Sequence, residues 1–253
     1  MMKKHLSVLG LFARSTLLPI LGLLLVMGAV EFLFFHMELQ NALTAHDAGV
    51  GDGFPQLERL LYRSAANVWM ALSFVLITAA LSLTGCQFRT ATGYTLRRLS
   101  VSENTVLLWQ FVYNTLIYLL LAAAQTVICY GLCRYYLAAA PAEAISNQTL
   151  FLAFYRSELL HSLLPLSDLA LWIRNLLLAP ALGLAAAIFP YKQRNGFYSG
   201  SVIFLTAFAV ITFERGIGEF SHIAITACVG MIVVCELAGF LLTRDREEET
   251  RDA

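Results

Sequence analysis

Apolar residues run through this chain in blocks far longer than an average soluble helix, and polar positions are gathered into the short stretches between them. Six blocks are long enough to cross a hydrocarbon core, which takes roughly 17–25 helical residues. They lie near 16–37, 66–86, 105–136, 169–190, 197–213 and 221–243. The fifth, at about 17 residues, only just spans and is followed by the brief connector "ERGIGEF", so it either crosses or dips in and returns. The third, at about 32 residues and 1.5 Å per residue, is nearly 50 Å long and must tilt or protrude.

Two connecting segments are long. Residues 38–65 are polar and Gly-rich at "DAGVGDGFP", then turn amphipathic in "QLERLLYRS". Residues 138–168 begin as an Ala/Pro linker and continue as "LFLAFYRSELLHSLLPLS", where Arg156, Glu158 and His161 break the apolar run. Those charges argue for an interfacial helix rather than a seventh span. Ser167 and Asp168, just after Pro165, suit the cap of the following span. Asn147-Gln148-Thr149 is a glycosylation sequon that matters only in a glycosylating host. The start, "MMKKHLSVLGLFARS", has the basic head of a secretory signal. However, Arg14 interrupts its apolar run, no small-residue cleavage site follows, and a full span comes next. Residues 1–15 therefore read as a basic amphipathic helix lying on the membrane, with Leu6, Leu9 and Phe12 turned inward.

Composition agrees with the pattern: of 253 residues, 58% are hydrophobic and 13% charged, and mean hydropathy is +0.70. The expected fold class is all-α, a single polytopic transmembrane domain over 1–253. Seventeen basic and seventeen acidic residues cancel, so no global charge points to nucleic acid. Their distribution is more telling. With the N-terminus inside, the cytoplasmic segments hold Lys3, Lys4, Arg14, Arg89, Arg97, Arg98, Lys192, Arg194, Arg244, Arg246 and Arg251. The outer side keeps Arg59, Arg63, Arg134, Arg156, Arg174 and Arg215. Both termini, including a tail at 244–253, are expected in the cytoplasm, and the chain in a cell inner or plasma membrane. Trp69 and Trp172 fall at outer span ends, and Trp109, Tyr191 and Tyr198 at inner ones, as interfacial aromatics do.

Catalytic signatures are missing. The sequence has no GxxxxGK[ST] phosphate loop, no HExxH and no metal-like histidine pair. Cys86, Cys129, Cys133, Cys228 and Cys235 lie in or at the ends of spans and read as small hydrophobes rather than a redox set. Ser199, in "FYSGS", lacks a GxSxG frame and a histidine partner, so packing is its better reading.

Two carboxylates lie inside spans: Glu31 in the outer half of the first and Glu236 in the inner half of the last. A charge at that depth is costly, so each should face protein or water, or be protonated. They line a substrate route or make interhelical hydrogen bonds, with Gln110, Asn114, Gln125 and Asn175 as available partners. Ala179, Gly183 and Ala187 fall four apart on one face of the fourth span, and Gly196 and Gly200 open the fifth in GxxxG spacing. Both patterns suit close helix packing, within the bundle or against a second copy. Pro180 is expected to kink the fourth span and loosen one turn for movement.

Between the second and third spans lies "TGYTLRRLSVSENTVLLWQ". A short helix from about Thr92 to Leu99 would present Tyr94, Arg97 and Arg98 to a soluble partner, with Leu96 and Leu99 free for apolar contact. Ser100 and Glu103 have capping-box spacing, so the chain stops, turns and restarts. This stretch resembles type 2 permeases of ATP-binding-cassette exporters, where a coupling helix between spans two and three precedes a long third span. The amphipathic start, six spans and cytoplasmic termini are similar too, while the longer outer segments here follow spans one and three rather than span five.

The resemblance implies that Tyr94, Leu96, Arg97, Arg98 and Leu99 dock on a separate cytosolic ATPase. It also implies a second permease, identical or homologous, within the bilayer, and no cofactor in this chain, with ATP and magnesium bound by the partner. The expected function is export of an amphipathic or hydrophobic cargo such as a lipid or antimicrobial peptide. The alternatives are a membrane-embedded enzyme acting on lipid or peptide through Glu31, Glu236 or His161, and a non-transporting sensor or assembly subunit.

Overall fold

A computed structural model describes residues 2–49, 53–84, 86, 103–166, 168–194, 196–197, 199–214 and 219–252. Its helices are α1 (Met2–Asp47), α2 (Leu57–Arg63), α3 (Ala66–Leu83), α4 (Glu103–Ala139), α5 (Thr149–Arg156), α6 (Glu158–Leu163), α7 (Leu169–Arg194), α8 (Ser201–Glu214) and α9 (Glu219–Asp252). A single 3-10 turn, Ala142–Ala144, stands between α4 and α5. The protein is an all-α polytopic membrane protein. Among the described residues, α1, α3, α4, α7 and α9 each contain a stretch long and apolar enough to cross a membrane.

The first element departs from expectation. Residues 1–15 and 16–37 are not two helices, because α1 runs unbroken from Met2 to Asp47, about 69 Å at 1.5 Å per residue. The Ser15 and Thr16 hydroxyls bond back to the Phe12 carbonyl within the unbroken helix, so their polar groups are satisfied where a boundary was expected. Val8 and Phe12 are buried in the bundle core rather than lying on a surface. At the other end of the chain, the residues expected to form a tail from 244 continue α9 as helix to Asp252.

Two cores stack along the bundle. The first joins α1, α3, α4, α7, α8 and α9 through Ile20, Phe74, Ile117, Leu182, Leu205 and Val229. The second gathers the end of α1 (Phe35, Leu39), the start of α3 (Met70) and the end of α4 (Cys133, Tyr136) under α2, α5 and α6. The latter is called the capped end here, and the opposite end, where residues 85–102 join α3 to α4, the basal end. Leu57, Leu60 and Leu61 of α2 are buried, and the 138–168 segment forms two short helices, α5 and α6, rather than a span. Asp168 caps α7, its Oδ1 accepting from the Ala170 and Leu171 amides at 3.0 and 3.5 Å.

Large apolar side chains line the outside: Leu25 is 76% exposed, Leu176 75% and Ile203 71%, as a lipid-facing surface requires. Lipid is as apolar as leucine, so helix association in such a bundle depends on close packing and interhelical hydrogen bonds. The course of α8 follows from its neighbours. Arg174 of α7 meets His222 near the start of α9, and Lys192 at the end of α7 meets Glu236 further along α9, so α7 and α9 run in the same direction. The intervening α8 must run the opposite way, yet its 14 residues cover only about 21 Å.

Candidate functional site

Polar side chains recur along one buried face of α4 at helical spacing: Gln110, Tyr113, Asn114, Tyr118, Gln125 and Tyr136. Together they tie α4 to almost everything around it. Gln110 Nε2 donates to the Thr84 carbonyl at 3.2 Å and Asn114 Nδ2 to the Gly183 carbonyl at 3.4 Å. Tyr113 and Thr16 share a hydroxyl bond of 2.7 Å, and the Tyr118 hydroxyl donates to Thr78 Oγ1 at 3.1 Å. Gln125 Nε2 donates to Glu31 Oε2 at 2.9 Å, and the Tyr136 hydroxyl to the Pro55 carbonyl at 3.0 Å. Such bonds between membrane helices contribute about 0.6–2 kcal/mol each. Glu31 thus finds one of the four amide partners read from the sequence.

Glu236 does not pair with any of those amides. Lys192 Nζ lies 2.8 Å from its Oε2, and the Ser199 hydroxyl donates to its Oε1 at 2.6 Å while sharing a 2.9 Å bond with Ser201. Lys192 and Arg194 had been read only as loop charges. Both instead bond within the bundle, since Arg194 Nη2 lies 3.5 Å from Glu103 Oε1 and its Nε donates to the Pro190 carbonyl at 3.2 Å. The signal that would have found Lys192 is depth: a lysine just past one span's inner end lies level with an acid in the inner half of another.

Arg174, counted from the sequence among the basic residues of the outer side, is the largest fully buried side chain among the described residues. Its Nη1 lies 2.9 Å from His222 Nδ1, and its Nε and Nη2 donate to Asn175 Oδ1 at 3.2 and 2.9 Å. Asn175 Nδ2 in turn donates to the Ser162 carbonyl at 2.7 Å, tying α7 to α6. Asn175 is therefore part of a helix-to-helix network at the capped end.

The small residues divide. A Cβ on Gly183 would collide with Thr115 Oγ1 and lie 2.9 Å from the Thr115 backbone nitrogen, so α4 and α7 approach backbone to backbone here. Ala187 is buried and Ala179 partly so on the same helix. Gly196 and Gly200 do not form a packing pair, because both precede α8. Gly196, at φ +79°, ends α7: the Phe197 amide bonds the Lys192 carbonyl and the Gly196 amide the Gln193 carbonyl, a Schellman cap. Gly200 faces only the Phe204 ring of its own helix. Gly183→Ala is expected to destabilise by about 1–3 kcal/mol, because the blocking atoms are backbone, whereas Gly200→Ala should be nearly neutral. Thermal unfolding of both variants in one detergent checks the contrast.

An apolar cleft of about 190 Å³ opens between α3, α4 and α7, lined by Phe74, Tyr118, Leu121, Leu163 and Leu178, with Leu119, Trp172 and Leu176 exposed around it. Glu31, Glu236 and His161, the residues of the enzyme alternative, are not joined by any hydrogen bond and lie in separate helix pairings. Among the described residues no three His, Cys, Asp or Glu side chains converge as a metal site, and none of the five cysteines is in a disulfide. Tyr94, Leu96, Arg97, Arg98 and Leu99 lie outside the described residues. Comparison of the chain with family models, curated proteins and solved structures matches none of them.

Proposed function

We propose that this membrane protein is the permease subunit of an ATP-binding-cassette exporter. In this reading it makes six passes, the short α8 serving as the fifth, with both termini and the basal end in the cytoplasm. The observation that carries the reading is a set of side-chain bonds that join five helices toward the basal end, several of them at helix ends. The Thr16–Tyr113 bond joins α1 to α4, Gln110 joins α4 to the end of α3, Arg194 joins α7 to Glu103 at the start of α4, and Lys192 joins α7 to α9. Residues 85–102 connect two of those ends. A push on that segment would reach α1, α3, α4, α7 and α9 as one unit, as a transmission surface requires.

The docking residues of this proposal are Tyr94, Leu96, Arg97, Arg98 and Leu99, and the energy source is ATP with magnesium on a separate cytosolic subunit. A second permease, identical or homologous, would complete the route. The cargo would be amphipathic or hydrophobic, in keeping with an apolar cleft open toward lipid. Copurification from native membranes followed by reconstitution tests the proposal. The expected result is a companion ATPase and ATP-dependent movement of a labelled lipid or amphipathic peptide. A chain that purifies alone and leaves both probes unmoved would contradict it.

A further inference from the structure

Glu31 and Glu236 are both buried carboxyl groups in spanning helices, but they are held in opposite ways. Glu236 receives a donor on each oxygen, an ammonium at 2.8 Å and a hydroxyl at 2.6 Å, as suits a charged carboxylate. Glu31 is fully buried and forms no ion pair among the described residues. Its single donor is Gln125, itself fully buried.

The hydrogen-bond count at this pair does not close with an ionised acid. Gln125 Nε2 donates to Glu31 Oε2 at 2.9 Å and to Cys129 Sγ at 3.5 Å, which uses the amide's donors. Glu31 Oε1 and Gln125 Oε1 remain buried with no partner. Both are acceptors, so neither can satisfy the other, and buried polar atoms without partners are rare in native proteins. One proton on Glu31 resolves both atoms at once, since a carboxylic acid donates where a carboxylate cannot.

We propose that Glu31 is a proton-binding site: it carries a proton when α1 is packed on α4, and its O–H donates to Gln125 Oε1. Acid and amide then hold each other by two antiparallel hydrogen bonds, and the pair fastens α1 to α4 only in its neutral form. Among the described residues no charged group forms an ion pair with Glu31. Helix α3, packed against α1, contains no titratable residue. Helix α2 brings Glu58, Arg59, Tyr62 and Arg63, but it packs at the capped end beside Phe35 and Leu39. From α4 the titratable groups on this face are Tyr113, Tyr118, Cys129, Cys133 and Tyr136, the three tyrosines bonded to Thr16, Thr78 and the Pro55 carbonyl. On α1 itself the nearest is His36, bonded to the Tyr135 hydroxyl at 2.7 Å.

Infrared spectroscopy of the purified full-length protein tests this inference, read through the carbonyl stretch of a protonated carboxylic acid. At neutral pH the wild type should show a deuterium-sensitive band that Glu31→Gln removes and Glu236→Gln leaves in place. Glu31→Gln, a neutral isostere that can pair amide to amide, should fold and unfold at or above the wild-type temperature, because at neutral pH the wild type must take up a proton on folding. Raising the pH into the alkaline range should abolish the wild-type band and lower its unfolding temperature more than that of Glu31→Gln. Absence of the band at neutral pH, its survival in Glu31→Gln, or failure of Glu31→Gln to fold would each overturn the proposal. None of these readouts depends on transport or on a partner, so the outcome is separate from that of the exporter reading.

Discussion

Lys192→Met should destabilise the protein by about 3 kcal/mol, toward the lower end of what breaking a buried ion pair costs, because both partners keep about a tenth of their exposure. The change removes an ammonium 2.8 Å from Glu236 and leaves that carboxylate with the Ser199 hydroxyl, inside a spanning helix. Glu236→Gln should be costly for the converse reason, since Lys192 would then be buried without its counter-charge. The double variant should recover most of the loss, as methionine fills the lysine's path and glutamine still accepts from Ser199. Unfolding temperatures of the four proteins form a double-mutant cycle, and the account requires strong coupling. Additive losses would show that the two side chains act independently. The same pair joins the end of α7 to α9, so its loss should also weaken any transmission from the basal end.

The second large effect is expected at a surface. On the exporter reading, reversing Arg97 and Arg98 to Glu should abolish copurification of the proposed ATPase, more than a tenfold loss, while membrane insertion and unfolding temperature stay at wild-type values. Like-charge juxtaposition at an interface costs several kcal/mol, enough to empty a transient complex. A solvated loop whose arginines serve only to set topology would give a different result, with copurification unchanged and insertion disturbed.

The membrane architecture was legible because apolar runs of this length have no other use, and the helix-capping role of Asp168 because Pro, Ser and Asp together precede an apolar block. The continuity of α1 was not, because Arg14 read as an interruption of the apolar run although arginine does not break a helix. Gly196 and Gly200 show how one spacing serves two purposes. Their GxxxG pattern suggested packing, yet "YKQRNG" is equally a helix C-terminus, with basic residues in the last turn and glycine after it. The partner of Glu31 was within reach because amides were the natural partners for a lone intramembrane acid. Lys192 was missed because counting basic residues by loop hides one that turns back into the bundle, and Arg174 was missed for the same reason.

The most direct test of the exporter reading is photo-crosslinking from position 94 in intact cells, with a photoreactive amino acid in place of Tyr94. The account predicts a single major adduct with a cytosolic ATP-hydrolysing protein, lost in the Arg97→Glu, Arg98→Glu background. Labelling of the same position by a membrane-impermeant reagent added outside the cell, or adducts with lipid alone, would contradict it.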